Sequence, residues 1–567
     1  MKNEVIKLVS AAVAKRGLKI PEKDLEKFLG VPPNPELGDF SFACFFLAGK
    51  FKEMPNETSV KLREVMEKLK GFDNFEDVQA VNGYLNFFID RKALVVNVIR
   101  EVVAKGHDYG KIDFGKGQKY LIEHTSINPN ASPHVGRVRN ALIGDSLVKI
   151  FNFLGYKTEV HYYVNDVSKQ IAMLALANAD KLKFQQMLKR YALIANKVKK
   201  SKKLEKKVFG LLEDFESQDK EIMAKFKKIT DTCVKGQEKI LAQLGIKYDF
   251  FDYESNYILG GKETLELLRK SGKIFKDEDG REILDLKGTP IEGQMKTPVL
   301  VLTRSDGTGL YQNRDIAYTI EKMKKSDKNL IVLGEDQKLY FQQIREALKI
   351  LGYKSPEVVH YSYVLISNAK GKSKKMSTRK GDVVLLEDFL DDAIEKAKKE
   401  IKKRKTKGDA NKVGIGAVKY TILKNANNKE IKFNLDEALS FEGDTGPYLL
   451  YSYARANSIL KKIKKSFKGD LDMKKIGELH EKEIELSKKI SEFPETILKS
   501  FKDLNPSYIA NYSYQLAQTF NEFYHTCPVI NADHKENQEF RIVLVMAFKQ
   551  TLANSLGLLG IEPIDEM

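Results

Sequence analysis

Apolar and polar positions alternate along the chain in ways that mark four stretches. Residues 1 to about 110 open on MKNEVIKLVSAAVAKRGLKI, whose spacing predicts an amphipathic helix with no apolar run long enough for a signal peptide. PPNPELGDFSFACFFLAGKF (32–51) and a strand-like NGYLNFFI (82–89) follow. The turn-rich GKIDFGKGQ (110–118) predicts a linker. From 119 to 390 short apolar strands alternate with amphipathic helices, the pattern of an α/β domain on a parallel sheet. Within it residues 180–240 are helical and lysine-rich and read as an insertion. After 390 the strand signal fades: DDAIEKAKKEIKKRKTKG (391–408) predicts a charged helical connector. From 440 onward the pattern is helical nearly throughout and predicts a bundle. The expected domains are 1–112, 113–390 with an insertion around 180–250, 391–440 and 441–567. No internal period marks a solenoid.

The segment 119–164 carries the most detail. A buried strand at its start leads into a polar loop. Ser132 and Pro133 then predict a helix start, a hydroxyl N-cap followed by proline at the first position. Val135, Val138, Leu142, Leu147, Ile150 and Leu154 form a helical stripe, which Gly155 ends before the strand TEVHYYV. Such a βαβ unit holds its ligand loop at the carboxyl end of the first strand.

Composition narrows the class. The chain has 567 residues, enough for about three or four domains, and 42% of them are hydrophobic. A net charge of +18 suits a polyanionic partner or a lysine-rich solvated surface. Cys44, Cys233 and Cys527 are far apart, so no zinc site or disulfide framework is expected, in keeping with a reducing cytosol. The late apolar stretch 541–561 is interrupted by Lys549, and no membrane span is predicted. A cytoplasmic monomer is the expectation.

The chemistry begins at His134, predicted in the first helical turn, where unpaired N–H groups and the helix dipole favour anions. Gly136 leaves room for an adenine against the backbone. A lone His-x-Gly is more often an ordinary helix start, so a second element decides. GKSKKMSTRKGDVV (371–384) surrounds a Met-Ser-Thr centre with Lys375, Arg379 and Lys380, charges suited to a triphosphate in its transition state. It is no Walker A loop, because Ile366 stands where the first glycine belongs. HVGR (134–137) followed by KMSTRKG (375–381) resembles the HIGH and KMSK signatures of class I aminoacyl-tRNA synthetases, and the KMSTRKG form resembles the arginyl family in particular. Arg137 replaces the last histidine of HIGH, and Thr378 the last lysine of KMSK, so that Arg379 or Lys380 supplies the late charge.

That resemblance implies a Rossmann-like α/β catalytic domain of the class I type, an α+β N-terminal domain and an all-α anticodon-binding bundle. It implies ATP bound by His134, Gly136, Arg137, Lys375, Met376 and Ser377, with His134, Lys375, Arg379 and Lys380 serving the reaction. Magnesium is expected with the ATP and on no dedicated protein cage. A guanidinium needs carboxylates and an aromatic or hydrogen-bonding wall. Glu123 ends the first strand and Asn128 lies in the loop after it. TPVLVLTRSDGTGLYQNRDIAYTIEKM (297–323) carries Tyr311 and Asp315 four apart on one helix face. Both segments resemble arginyl patterns, which implies that Glu123 and Asp315 grip the guanidinium, Tyr311 walls the pocket and Asn128 contacts the amino-acid backbone, with Asp336 and Gln337 as further contacts. FEGDTGPYLLYSYARANSIL (441–460) predicts a helix entered through Asp444, Thr445 and Pro447. It resembles the opening of the arginyl anticodon-binding domain, with Tyr448, Tyr451 and Arg455 as candidate tRNA contacts by stacking. LNPSYIANYSYQLAQTFNEFYHTCPVI (504–530) resembles a later helix of that domain, and PELGDFSF and GYLNFFI resemble the N-terminal domain.

The implied reaction is arginine activation by ATP to arginyl-adenylate, then transfer to the 3′-terminal ribose of tRNA(Arg), with tRNA required for activation. Another class I synthetase would lack Tyr311-x-x-x-Asp315 paired with Glu123. A nucleotidyltransferase acting on small molecules would not need the basic helical C-terminal part. A non-catalytic RNA-binding paralogue predicts lost motif residues.

Overall fold

The computed structural model describes residues 2–72, 75–326, 328–367, 373–374, 384–463, 476–532 and 535–567. The chain gathers into two compact units, one made of Met1–Gly106, Ile463–Ser491 and Thr519–Phe548, the other of His107–Lys462, Glu492–Gln518 and Lys549–Met567.

In the first unit the predicted N-terminal helix forms over Lys2–Lys15 and buries Val5, Leu8, Val9, Ala12 and Val13, the i, i+3, i+4, i+7, i+8 face. It lies against an antiparallel sheet of β1 (Leu29–Gly30), β2 (Phe40–Ala43), β3 (Phe75–Val81) and β4 (Tyr84–Ile89) in the order β1-β2-β4-β3. Asn82 and Gly83, expected within a strand, instead make the turn between β3 and β4. Both take positive φ, 52° and 81°, and Val81 pairs directly with Tyr84. An Asn-Gly pair is the residue choice that such a two-residue hairpin favours. The helix Arg91–Lys105 starts at Asp90, whose carboxylate accepts from the Ala93 N–H at 3.0 Å.

The second unit is built on a five-stranded parallel sheet. In chain order its strands are β5 (Lys119–Thr125), β6 (Lys157–Val164) and β7 (Phe250–Tyr253). The antiparallel β8 (Ile274–Lys276), β9 (Glu282–Asp285) and β10 (Val299–Val301) intervene before β11 (Lys328–Gly334) and β12 (Glu357–Tyr361). The sheet order is β12-β11-β5-β6-β7. Chain order therefore runs outward in both directions from β5, and the junction of β5 and β11 is a switch point of the kind that holds ligands in open α/β sheets. A small sheet of β13 (Val364–Ser367), β14 (Ser373–Lys374) and β15 (Ile431–Phe433) follows.

The insertion forms three helices, Phe184–Lys199, Lys202–Glu216 and Lys220–Gln243, between β6 and β7. Ser201 and Asp219 cap the last two by accepting from Leu204 N and Ile222 N. Met187, Tyr191, Val208, Leu212, Phe215 and Phe226 give the insertion a core. The helix Arg139–Phe153, which joins β5 to β6, is buried well beyond its apolar stripe, with Asn140, Asp145 and Ser146 inside as well. Gly144 explains how close it comes to the sheet: a Cβ there would lie 2.0 Å from the His124 Cβ. Helix Gly446–Lys461 begins as its sequence predicts, with Thr445 Oγ1 accepting from Tyr448 N at 3.3 Å and Pro447 in the first turn.

Candidate active site

The loop after β5 differs from the expected helix start. His134 is extended, at φ −98° and ψ 155°, and forms an antiparallel bridge with Leu385. Val135 N–H donates to the Val384 carbonyl at 3.2 Å, and Leu386 N–H donates to Pro133 O at 2.9 Å. This short ladder overrides the Ser-Pro signal. Residues Val135–Arg137 make a 3-10 turn and the α-helix begins at Arg139. His134 thus precedes the turn rather than lying in a first helical turn, and the Ser132 hydroxyl caps nothing among the described residues. Gly136 and Arg137 occupy the turn, half-exposed. Arg137 faces the Tyr361 phenol, as does Asp336. His134 Nδ1 is buried and finds no hydrogen-bond partner among the described residues. Burial, with the Arg137 charge beside it, pushes the imidazole down to about 4, so it is neutral at pH 7 and keeps one N–H to donate. Lys375, Met376, Ser377, Arg379 and Lys380 lie outside the described residues. Val384–Leu386, just after that segment in sequence, are the residues laddered to Pro133–Val135.

β5 runs two residues past Glu123, expected to end it, to Thr125; the Glu123 carboxylate is buried, and the equally buried Lys322 ammonium donates to it. Lys322 belongs to the helix Tyr311–Lys325, so this pair fastens to β5 the helix that carries Tyr311 and Asp315. Asp315 sits near Glu123. Burial raises its carboxyl to about 6, with the Tyr340 and Tyr163 hydroxyls pulling it down and the Glu123 charge adding to the rise. Tyr340 Oη donates to Asp315 Oδ2. Tyr311 is 46% exposed and its ring centroid is 5.5 Å from that of Tyr340. Tyr163 stacks on Tyr318 at 4.5 Å.

A third carboxylate, absent from the sequence reading, joins this group. Glu254 follows β7 directly, is 1% exposed, and accepts from Arg314 Nε at 2.7 Å. Burial pushes its carboxyl up against the pull of Arg314, and Asp315 adds to the rise. Arg314 also approaches Glu216 of the insertion at 3.6 Å. Charge is therefore matched around Glu123 by Lys322 and around Glu254 by Arg314. Among the described residues Asp315 has no cation at ion-pair distance. The strand-end rule that selects Glu123 on β5 also selects Glu254 after β7. Tyr163, Tyr340 and Lys322 carry no comparable signal in the sequence.

Asn128 is exposed in the loop after β5, and its carbonyl accepts from Gln237 Nε2 at 2.9 Å. Gln237, fully buried on the last insertion helix, also donates to Ala131 O at 2.8 Å, while its Oε1 lies 2.8 Å from the Tyr162 hydroxyl. The insertion thus braces the ligand loop with one amide whose hydrogen bonds are satisfied. Asp336 and Gln337 lie in the 3-10 turn directly after β11, at the switch point. On helix Gly446–Lys461, Tyr448, Tyr451 and Arg455 are half-exposed. Arg455 lies 4.7 Å over the Tyr451 ring and donates to its hydroxyl at 3.1 Å, while Tyr448 packs on Tyr514 at 5.6 Å. Tyr453, between them in sequence, is core.

Among the described residues no three or more His, Cys, Asp or Glu side chains gather as a metal site, and no helix is long and apolar enough to cross a membrane. Residues 98–435 match the family profile described as tRNA synthetases class I (R), catalytic domain. Residues 449–567 match the DALR anticodon binding domain, and 3–89 the arginyl tRNA synthetase N terminal domain. The chain is 36% identical to the arginine–tRNA ligase of Methanocaldococcus jannaschii, over 99% of each chain. It is 33% identical to that of Halothermothrix orenii, over 100% of this chain and 99% of the other. The arginyl-tRNA synthetase of Thermus thermophilus shares the fold, with a TM-score of 0.79 over 100% of both chains at 24% identity. Three matched domains in one order and relatives that span the whole length lead to one conclusion: the chain belongs to the arginine–tRNA ligases, the arginyl branch of the class I aminoacyl-tRNA synthetases.

Proposed function

We propose that this arginine–tRNA ligase reads its amino acid through Asp315. One observation carries the proposal: of three neighbouring buried or half-buried carboxylates, Asp315 is the one with no cation at ion-pair distance among the described residues, Arg314 acting on it only from farther off. A guanidinium supplies that charge and offers a fork of donors that a carboxylate accepts. Tyr311 and Tyr340 wall the guanidinium plane, and Glu123, its charge matched by Lys322, holds the helix of Asp315 against β5. Asn128 and Gln337 serve the α-amino and α-carboxylate ends from the loops after β5 and β11, with Asp336 beside them.

ATP takes the other half of the switch point. His134 donates from its neutral imidazole, Gly136 and Arg137 border the nucleotide, and Lys375, Met376, Ser377, Arg379 and Lys380 meet the phosphates. The arginine carboxylate oxygen attacks the α-phosphorus and pyrophosphate leaves. The 3′-terminal ribose hydroxyl of tRNA(Arg) then attacks the adenylate carbonyl, loses its proton and releases AMP. Positioning and charge carry both steps without a strong protein base. Magnesium comes with the triphosphate. Tyr448, Tyr451 and Arg455 stack on unpaired bases of the tRNA. The enzyme works as a cytoplasmic monomer.

The test is ATP–pyrophosphate exchange with each of the twenty amino acids, with and without tRNA. Exchange with arginine alone, and with tRNA present, is expected. Exchange supported by another amino acid would remove Asp315 from the specificity role.

A further inference from the structure

Among the described residues Arg139 is the largest of the fully buried side chains, at 0% exposure. It opens the α-helix five residues after His134. No carboxylate meets it at ion-pair distance among the described residues. Its Nη1 donates to Ser362 O at 2.7 Å and Lys429 O at 2.6 Å, and its Nη2 donates to Ala426 O at 2.9 Å. A buried charge held by carbonyls alone is an expensive way to fill space, and an apolar side chain of that size would fill it without the desolvation cost. What the guanidinium adds is geometry, a planar fork that fixes three carbonyls from two loops.

Those loops lead to the small sheet. Ser362 joins β12 to β13, and residues 426–429 lead into β15, which pairs with β13 in parallel. The loops are also tied to each other: Ser362 N–H donates to Asn427 O at 2.9 Å and Ser362 Oγ to Asn428 O at 2.8 Å. β13 lies against the Val135–Arg137 turn and pairs with β14, whose last residue, Lys374, is followed in sequence by Lys375. On the far side of the KMSTRKG sequence, Val384–Leu386 are laddered to Pro133–Val135. Both flanks of that sequence are therefore anchored to the region between Pro133 and Arg139.

We infer that Arg139 is a positioning residue for adenylate formation: its guanidinium sets the offset between the His134 turn and the β13–β14 strands that lead into the KMSTRKG sequence. The inference rests on the reading of those two segments as the halves of the ATP site. Arg139 does not touch substrate. Its loss shifts the His134 turn against the β13–β14 strands, and a displacement of about 1 Å in a site of this kind costs on the order of 100-fold in rate.

The experiment measures exchange kinetics of Arg139→Met and Arg139→Lys beside the parent enzyme, with active sites counted by the adenylate formed in a single turnover. Arg139→Met is expected to lose on the order of 100-fold in kcat per active site, with arginine KM within about threefold of the parent. Arg139→Lys, able to serve some of the carbonyls, is expected to lie between. It is the variant to read if Arg139→Met yields no folded protein. A loss that disappears once active sites are counted would reduce Arg139 to a folding role and overturn the inference, as would unchanged kcat in either folded variant. His134→Ala and Lys375→Ala are measured in parallel. Full exchange in both would refute the ATP-site reading itself, whatever the Arg139 variants do.

Discussion

At the residue scale, the partnering of charge organises the site. Glu123, Asp315 and Tyr311 are legible in the sequence because strand ends and an i, i+4 pair have recognisable places. Their partners are not, because Lys322, Arg314 and Tyr340 look like ordinary members of helical patterns until the fold brings them to the carboxylates. Asp315, raised to about 6, binds a proton that the unfolded chain, near 3.8, has already lost. Between those values the folded state holds more protons, so ionising Asp315 costs the ligand-free fold stability as pH rises through 6, on the order of 3 kcal/mol. Arginine binding reverses the balance by favouring the charged carboxylate. Arginine KM is therefore expected to rise as pH falls below about 6, and a titration of KM between pH 5 and 8 checks it. A flat profile would mean that Asp315 is not the group the guanidinium meets. Lys322→Met, which strands Glu123 in a buried site, is expected to destabilise the protein by about 3–5 kcal/mol. Adding Glu123→Gln should recover much of that loss in urea denaturation; no recovery would show that the pair is not the source of the cost.

At the scale of elements, periodicity found the alternating α/β region, the helical insertion and the helix at Gly446–Lys461. It erred where backbone pairing overrides local signals. Ser132-Pro133 reads as a helix start, yet the ladder to Val384–Leu386 keeps His134 extended, a contact across about 250 residues that no local rule contains. The brace from Gln237 to the loop after β5 was equally hidden, since a glutamine on a lysine-rich helix reads as surface. Gln237→Leu leaves the buried Ala131 carbonyl without its donor, a penalty of roughly 1–3 kcal/mol, and frees the Asn128 carbonyl from its brace. Arginine KM should rise in that variant with the insertion helices intact by circular dichroism; an unchanged KM would detach the brace from the site. Gly144→Ala drives a methyl into the His124 ring, and soluble, active protein from that variant would contradict the close packing of this helix on β5.

At the scale of the molecule, the sequence spoke for a catalytic α/β region between an N-terminal domain and a helical C-terminal domain, and the matched families follow that order. It did not reveal that residues 463–491 and 519–548 cluster with the first hundred residues, because such grouping depends on which helix faces meet. The net charge of +18 acquires a use in an enzyme whose substrate is a polyanion. Phosphate contacts predict tRNA affinity that falls steeply with salt, whereas the stacking proposed for Tyr451 and Arg455 predicts a part that salt leaves alone. Tyr451→Ala with Arg455→Ala is expected to weaken tRNA binding by roughly 10-fold or more at every salt concentration without changing the salt slope by more than about one contact. Equal affinity in parent and variant would return that face of the helix to plain surface.

The central claim is that Asp315 recognises the guanidinium, and the most direct test is the arginine KM of Asp315→Asn beside the parent enzyme, in ATP–pyrophosphate exchange at saturating ATP and tRNA. Loss of a charge-assisted pair worth roughly 2–4 kcal/mol predicts an arginine KM higher by about 30- to 1000-fold with tRNA affinity unchanged. An arginine KM within about threefold of the parent would show that Asp315 does not recognise the guanidinium.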